Sequence, residues 1–167
     1  MTIKDYKALH VAPLSPRTDI FLLKNDQILL GYKKTGFGKG NYVGIGGKVE
    51  EGETIEEAAR REVFEEIGVH VSKFIPKGTI AFYFPDPTWN LIIHAFTATE
   101  WEGEPEETNE IRPVWFPTNK LPFEAMWDDA KYWIPRVIKG EVVRDEYLYD
   151  EKMHVIDSAL ALVEKSL

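Results

Sequence analysis

The stretch that decides the fold runs from Gly46 to Val69 and reads GGKVEEGETIEEAARREVFEEIGV. Its second half predicts a helix, because Thr54 followed by Glu57 is a capping box and Gly68 stands where a left-handed residue would end the helix. Apolar residues recur in it at helical spacing and predict one buried face, made of Ile55, Ala58, Ala59, Val63 and Ile67. We therefore expect an amphipathic helix.

Acidic residues of this helix are the candidate catalytic groups. Glu62, Glu65 and Glu66 lie at i, i+3 and i+4, so the helix gathers them on one side, where they overlap the apolar face. Like charges at this spacing repel, and Arg61 is expected on the opposite, solvated side. Carboxylate oxygens are ligands that Mg²⁺ takes, so a cation would remove the repulsion. The pattern indicates a magnesium-dependent phosphate enzyme rather than a solvated run of charges.

The spacing of the whole stretch is more specific than the helix alone. It reads G-x5-E-x7-R-E-U-x-E-E-x-G-U over residues 47–69, where U is aliphatic, and it fixes Gly47, Glu53, Arg61 and Gly68 as well as the glutamates. This is the signature of the Nudix hydrolases, which the chain resembles. The resemblance implies an α+β protein, an α/β/α sandwich with a mixed β-sheet, that hydrolyses a nucleoside diphosphate linked to another group.

Further segments resemble one branch of that family, the animal oxidised-purine nucleoside triphosphatases or 8-oxo-dGTP diphosphatases. They read KKTGFGKG at 33–40, EIRPVWF at 110–116 and PFEAMWDDAKYWIP at 122–135. The resemblance implies Mg²⁺-dependent hydrolysis of modified purine nucleoside triphosphates, such as 8-oxo-dGTP or 2-oxo-dATP, to a nucleoside monophosphate and pyrophosphate. Mn²⁺ is expected to be able to replace Mg²⁺. Such an enzyme would sanitise the nucleotide pool.

The resemblance also assigns residues to the metal and the phosphates. Lys33 and Lys48 stand where the family contacts substrate phosphates, whereas Lys34 and Lys39 are equally well explained as surface lysines. The glutamates are expected to hold the metal and to include the general base, which the sequence does not single out. The expected metal ligands are the Gly46 carbonyl, Glu62, Glu65, Glu66 and Glu110.

The remaining motif residues are expected to be structural. Glu53 and Arg61 should form an internal ion pair that joins the loop to the helix, and Gly47 and Gly68 should shape the backbone at its two ends.

The resemblance implies which residues contact the base, but this chain matches the family at only some of those positions. The matching positions are Thr18, Phe37, Val43, Phe82, Trp127 and Asp129, with Phe84 and Trp133 as further aromatic matches. For Phe82 and Phe84, which alternate on one strand, packing in the core is a strong alternative. Val43 replaces an asparagine that reads the oxidised base in the family, and Ala130 replaces the second of two adjacent aspartates. Because valine forms no side-chain hydrogen bond, the preferred base stays open. ADP-ribose or another dinucleotide is an alternative substrate, supported weakly by Pro85.

Composition limits the classes of function. A net charge of −8 argues against binding to a nucleic-acid polymer, and no apolar stretch is long enough for a membrane span. The absence of cysteine excludes thiolate catalysis and cysteine zinc sites. We expect a single Nudix domain over residues 1–167, a cytoplasmic enzyme whose partner is a small nucleotide. A Nudix-like ligand-binding regulator is a non-enzymatic alternative, disfavoured by the intact glutamates.

The coarse pattern predicts one mixed domain. Strands are expected at 18–23, 27–32, 71–75, 79–84, 91–99 and 111–116. A helix is expected over 123–139, kinked or ended by Pro135, and a final helix over 159–165, capped by Asp157 and Ser158.

Overall fold

The computed structural model describes residues 1–11 and 13–165, which contain both helices and strands. The helices are α1 (Ile3–Leu9), α2 (Ile55–Ile67) and α3 (Ala130–Ile138). The strands are β1 (Ser15–Lys24), β2 (Gln27–Lys33), β3 (Tyr42–Val43), β4 (His70–Val71), β5 (Ile75–Tyr83), β6 (Leu91–Ala98), β7 (Trp101–Glu102), β8 (Ile111–Pro117), β9 (Glu141–Tyr149) and β10 (Val155–Lys165). Short 3-10 turns lie at Pro87–Trp89 and Phe123–Ala125.

A mixed β-sheet organises the chain. Its strand order is β10-β9-β5-β6-β1-β2-β3, and β8 also pairs with β2. β1 runs parallel to β6 and β5 parallel to β9, whereas β5 with β6, β9 with β10 and the β1–β2 hairpin are antiparallel. The expected α+β class and mixed sheet are confirmed.

Helices cover both faces of this sheet. The side chains of β1, which point alternately to the two faces, pack against a different helix on each face. Ile20 and Leu22 pack with Val63 of α2 in one apolar core. Phe21 points to the other face and packs edge-on against Trp133 of α3, with 5.8 Å between ring centroids. Successive side chains of a strand point to opposite faces, so β1 contributes to both cores. The result is the expected α/β/α sandwich.

Helix α2 begins and ends at the predicted residues, and one of the two hydrogen bonds of the predicted capping box is formed. Thr54 Oγ1 accepts a hydrogen bond from the backbone N–H of Glu57 at 3.1 Å, which caps the first turn. Gly68 ends the helix in the left-handed region, at φ +72°. The acidic motif is thus held on a helix with well-defined termini.

The predicted C-terminal helix is wrong, because residues 159–165 belong to strand β10. The segment pairs antiparallel with β9, from Val155 opposite Tyr149 to Lys165 opposite Glu141. Alanine and leucine favour a helix, but hydrogen bonding to the free edge of β9 outweighs that intrinsic preference.

Two other element predictions differ from the structure. The strand expected over 71–75 is replaced by the two-residue β4 and the start of β5. The helix expected from residue 123 begins only at Ala130, and Pro135 lies inside it without ending it. The non-helical residues before Ala130 place Trp127 and Asp129 at the wall of a cleft. None of the helices in the described ranges is long and apolar enough to span a bilayer.

Candidate active site

The loop that precedes α2 is held against strand β1. Ile45 and Ile20 exchange two backbone hydrogen bonds, and Thr18 donates its backbone N–H to the Gly47 carbonyl at 2.8 Å. The chain passes so close to β1 that a Cβ on Gly46 would overlap the Thr18 carbonyl. Glycine at this position is therefore a steric requirement of the loop, whatever else its carbonyl does.

Gly47 and Glu62 are in direct contact. A Cβ on Gly47 would lie 2.6 Å from the carboxyl carbon of Glu62, closer than real Cβ contacts allow. Thr18 Oγ1 accepts a hydrogen bond from the Gly47 backbone N–H at 3.3 Å. The first glycine of the motif thus leaves the space in which the Glu62 carboxylate lies.

Arg61 and Glu53 form the expected ion pair. The guanidinium donates from Nε to Glu53 Oε2 at 2.7 Å and from Nη2 to Oε1 at 2.8 Å, a two-point contact. Nη2 also donates to the Lys48 carbonyl at 3.0 Å. These bonds tie the loop to α2, consistent with a structural role for both residues.

Removing the Glu53 charge should make stability less sensitive to acid. Hydrogen bonds from Arg61 are the main reason that the pKa of Glu53 falls from 4.5 to about 2. A carboxyl with a lowered pKa in the folded state stabilises the fold above its unfolded pKa, and this stabilisation is lost as pH falls from about 4.5 to about 2. We expect the melting temperatures of the wild type and Glu53→Gln to converge across that window.

The matched control is Glu51→Gln, at an exposed position in the same loop. Its melting temperature should differ little from wild type throughout. A gap between wild type and Glu53→Gln that stays constant down to the bottom of the window would contradict the prediction.

The sequence predicts that Arg61 lies on the opposite side of the helix from the glutamates, but its side chain reaches two of them. Its Nη1 donates to Glu62 Oε1 at 2.8 Å and to Glu65 Oε2 at 3.2 Å. An arginine side chain is long enough to reach round the helix and reduce the repulsion between the two acids. The expectation that Arg61 lies away from the glutamates is therefore wrong.

Glu66 and Glu110 line an acidic recess of about 110 Å³ beside this helix. Burial, reinforced by the nearby Glu62 and Glu110 carboxylates, raises the pKa of Glu66 to about 8. Lys33 lines the same recess. A carboxyl group with so high a pKa lacks a strong counter-charge, which a bound cation would supply.

The donor chemistry of the recess fits a hard divalent cation. Glu62, Glu66 and Glu110 act on one another electrostatically, and carboxylate oxygens are ligands of choice for such ions. As their side chains stand, no three acidic or histidine residues within 1–11 and 13–165 form a ready metal cluster. Two of the glutamates face Arg61 instead, so a metal that used Glu62 or Glu65 would take over contacts now made by Arg61.

A larger cleft of about 230 Å³ adjoins the recess. Both are lined by Lys33, Val43, Gly44 and Gly46, so a ligand can extend from one into the other. Most of the residues expected at the base and phosphates meet in this cleft: Thr18, Lys33, Phe37, Val43, Phe82, Trp127 and Asp129, with Phe84 and Trp133. Gly46 and Gly47 line it as well. Phe82 and Phe84 also belong to the core, which is the alternative explanation of these two residues, and their contact with a base stays a prediction.

Asp129 is a buried carboxyl in the wall of the cleft. Trp133 Nε1 donates to its Oδ2 at 2.7 Å, and the Tyr149 hydroxyl donates to Oδ1. Burial raises the pKa of Asp129, although these two donors act in the opposite direction. The carboxyl is fixed in orientation by α3 and β9.

Phe37 and Trp127 are aromatic rings in the lining of the cleft, and Trp89 contacts Phe37 from outside that lining. Phe37 stacks on Trp127 at 5.4 Å between centroids and meets Trp89 edge-on at 5.8 Å. Phe37 is 63% exposed and Trp89 is 54% exposed, so both rings are largely open to solvent although they contact each other. Sequence reasoning missed Trp89, because its partners are distant in the chain.

Asp19 is a second carboxyl in the cleft that sequence reasoning missed. It lies on β1 between Thr18 and Ile20 and lines the same cavity as Asp129. Burial, together with the charge of Asp129, raises the pKa of Asp19 well above its usual range. The available signal was an acid inside an apolar strand, two residues from Phe21 and therefore on the same face.

Some predicted residues lie outside both cavities. Lys34 pairs with Glu107 at 2.5 Å, as a surface lysine would. Lys48 is exposed, and its backbone carbonyl accepts a hydrogen bond from Arg61. It lines neither cavity, and its expected contact with phosphates stays a prediction.

Comparison with known proteins gives a consistent answer. A model of the NUDIX domain matches residues 13–137. The oxidized purine nucleoside triphosphate hydrolase of Danio rerio is 45% identical over 122 residues, which span 73% of this chain and 78% of that protein. The Mus musculus protein of the same name is 36% identical over 147 residues, 88% and 94% of the two chains.

A solved structure agrees with these sequence matches. The MutT protein of Bacillus halodurans has a TM-score of 0.75 and is 26% identical, with 88% of this chain and 97% of that chain covered.

Proposed function

Because the chain belongs to the Nudix hydrolase family, we propose that it hydrolyses modified purine nucleoside triphosphates to nucleoside monophosphates and pyrophosphate. Two relatives are named oxidized purine nucleoside triphosphate hydrolases, which makes oxidised purines such as 8-oxo-dGTP and 2-oxo-dATP the first candidates. Clearance of such nucleotides from the cytoplasmic pool is the corresponding role.

The observation that carries this proposal is the adjacency of the two cavities. An aromatic cleft that suits a purine shares Gly44 and Gly46 of its lining with a recess lined by Glu66 and Glu110. A flat base can stack in the cleft while a polyphosphate reaches the acids. Lys33 lines both cavities and can neutralise phosphate oxygens where they meet.

The residues divide the chemistry between them. Glu62, Glu65, Glu66, Glu110 and the Gly46 carbonyl would hold a divalent cation, proposed to be Mg²⁺ with Mn²⁺ as a substitute. Family members generally need such an ion, which when bound activates water and screens phosphate charge. One of the glutamates accepts the proton from the attacking water, and Lys33 would bind the phosphates from the lining of both cavities. Lys48 lines neither cavity, so it would reach the phosphates with its exposed side chain. Glu53 and Arg61 position the loop.

The direct test measures pyrophosphate release with Mg²⁺ from a panel of nucleotides. The panel contains normal, 8-oxo-, 2-oxo- and methylated purine triphosphates and ADP-ribose. We expect at least one modified purine triphosphate to have a kcat/KM about tenfold or more above its unmodified parent, the range that one or two base contacts give. A preference for ADP-ribose would overturn the proposal, and absence of turnover on all members would favour the ligand-binding regulator.

A further inference from the structure

Asp19 is a carboxyl group in the wall of this cleft that neither the motif nor the base-site resemblance assigns. Its carboxyl packs against the α-carbon of Gly44, where an added Cβ would overlap it. Gly44 follows Val43, whose side chain offers no hydrogen bond. Asp19 therefore supplies polarity to the wall of the cleft that Val43 leaves apolar.

We propose that Asp19 is a specificity-determining residue that hydrogen-bonds to the edge of the purine base. The proposal rests on the proposed function, since it assigns a contact within the same site. Its ligand is a purine edge that presents an N–H group, because a carboxyl oxygen accepts from such a donor.

Unused hydrogen-bonding capacity supports this role. Two side chains, Trp133 and Tyr149, donate to Asp129. By contrast, nothing within residues 1–11 and 13–165 is found to donate a hydrogen bond to the Asp19 carboxyl. Polar groups inside proteins are almost always hydrogen-bonded, so a carboxyl left without protein donors at a cavity wall is suited to ligand donors.

The position of Asp19 in the fold also supports it. β1 directs Asp19 to the same face as Phe21, towards α3, whereas Ile20 and Leu22 point towards α2. The accessible surface that Asp19 retains opens into the cleft between the aromatic residues and Asp129.

The test compares wild type with Asp19→Leu, which keeps the branched shape of the side chain and removes its oxygens. For the preferred purine triphosphate we expect kcat/KM to fall about 10- to 100-fold, mainly through KM, as loss of a buried base contact should. Ribose 5-triphosphate, which carries no base, should be hydrolysed equally by both proteins. Asp19→Asn, which keeps one oxygen acceptor, is expected to lose less than Asp19→Leu.

Equal losses on the base-bearing and base-free triphosphates would overturn the proposal, because Asp19 would then act on phosphate, metal or fold. The matched control is Asp26→Asn, at an exposed turn position of the same hairpin with φ +60°, which asparagine tolerates. Thermal melts of all variants show whether the fold is intact.

The outcome is separable from the proposed function. If wild type releases pyrophosphate from none of the triphosphates, calorimetric binding of a non-hydrolysable purine imidotriphosphate still tests Asp19. Weaker binding by Asp19→Leu than by wild type supports the contact, and equal binding overturns it.

Discussion

Replacing Glu66 with glutamine is expected to cut turnover by about 100-fold or more, because a carboxylate that holds a catalytic metal cannot be replaced by a neutral amide. Glu66 lines the acidic recess, and burial with the charges of Glu62 and Glu110 raises its pKa to about 8. A carboxyl with this pKa is largely neutral at pH 7 when no metal is bound, as the amide of glutamine is, so we expect the fold to be as stable as in wild type while activity is lost. Initial rates at saturating nucleotide and Mg²⁺ measure the effect.

The same substitution at Glu65 is expected to reduce turnover by about 100-fold as well, although this side chain is exposed and contacts Arg61. The matched control is Glu57→Gln, on the exposed side of the same helix, which should retain wild-type turnover. Near-normal turnover in Glu65→Gln or Glu66→Gln would rule out that residue as an essential ligand.

The largest loss of stability is expected from Asp129→Ala. The change leaves the Trp133 Nε1–H and the Tyr149 hydroxyl without their acceptor in a buried site. Each unsatisfied group costs about 1–3 kcal/mol, so the free energy of unfolding should fall by about 2–5 kcal/mol. For a chain of this size that corresponds to a melting temperature lower by roughly 5–15 °C. Scanning calorimetry measures it.

Asp128→Ala is the neighbouring control. Asp128 pairs with Lys131 at 2.7 Å and accepts from the Val155 backbone N–H at 2.8 Å, in a partly exposed setting. Its loss should cost about 1 kcal/mol, the usual value for one hydrogen bond. Equal destabilisation by both variants would mean that the buried donors Trp133 and Tyr149 do not depend on Asp129.

Local features of this site could be predicted from sequence, and contacts between distant segments could not. The helix, its caps and the spacing of Glu62, Glu65 and Glu66 depend on residues a few positions apart, so a linear pattern fixes them. The path of Arg61 to Glu62 and Glu65 depends on a flexible side chain, which projection on a helix does not capture.

The missed residues Asp19 and Trp89 show the same limit. Asp19 reaches the cleft on β1, which pairs with β6, and Trp89 contacts Phe37 from a turn that is distant in the chain. Strand β10 was mistaken for a helix for a related reason: its conformation is set by the edge of β9, not by its own composition.

The placement of the two cavities has an evolutionary consequence. Helix α2 carries the acids next to one core of the sandwich, while the walls of the larger cleft come from β1, β5 and α3 around the other core. A substitution in those walls can change which nucleobase is accepted and leave the hydrolytic machinery as it was. Enzymes with this arrangement can therefore diverge in the nucleotides that they accept while they keep the same hydrolytic chemistry.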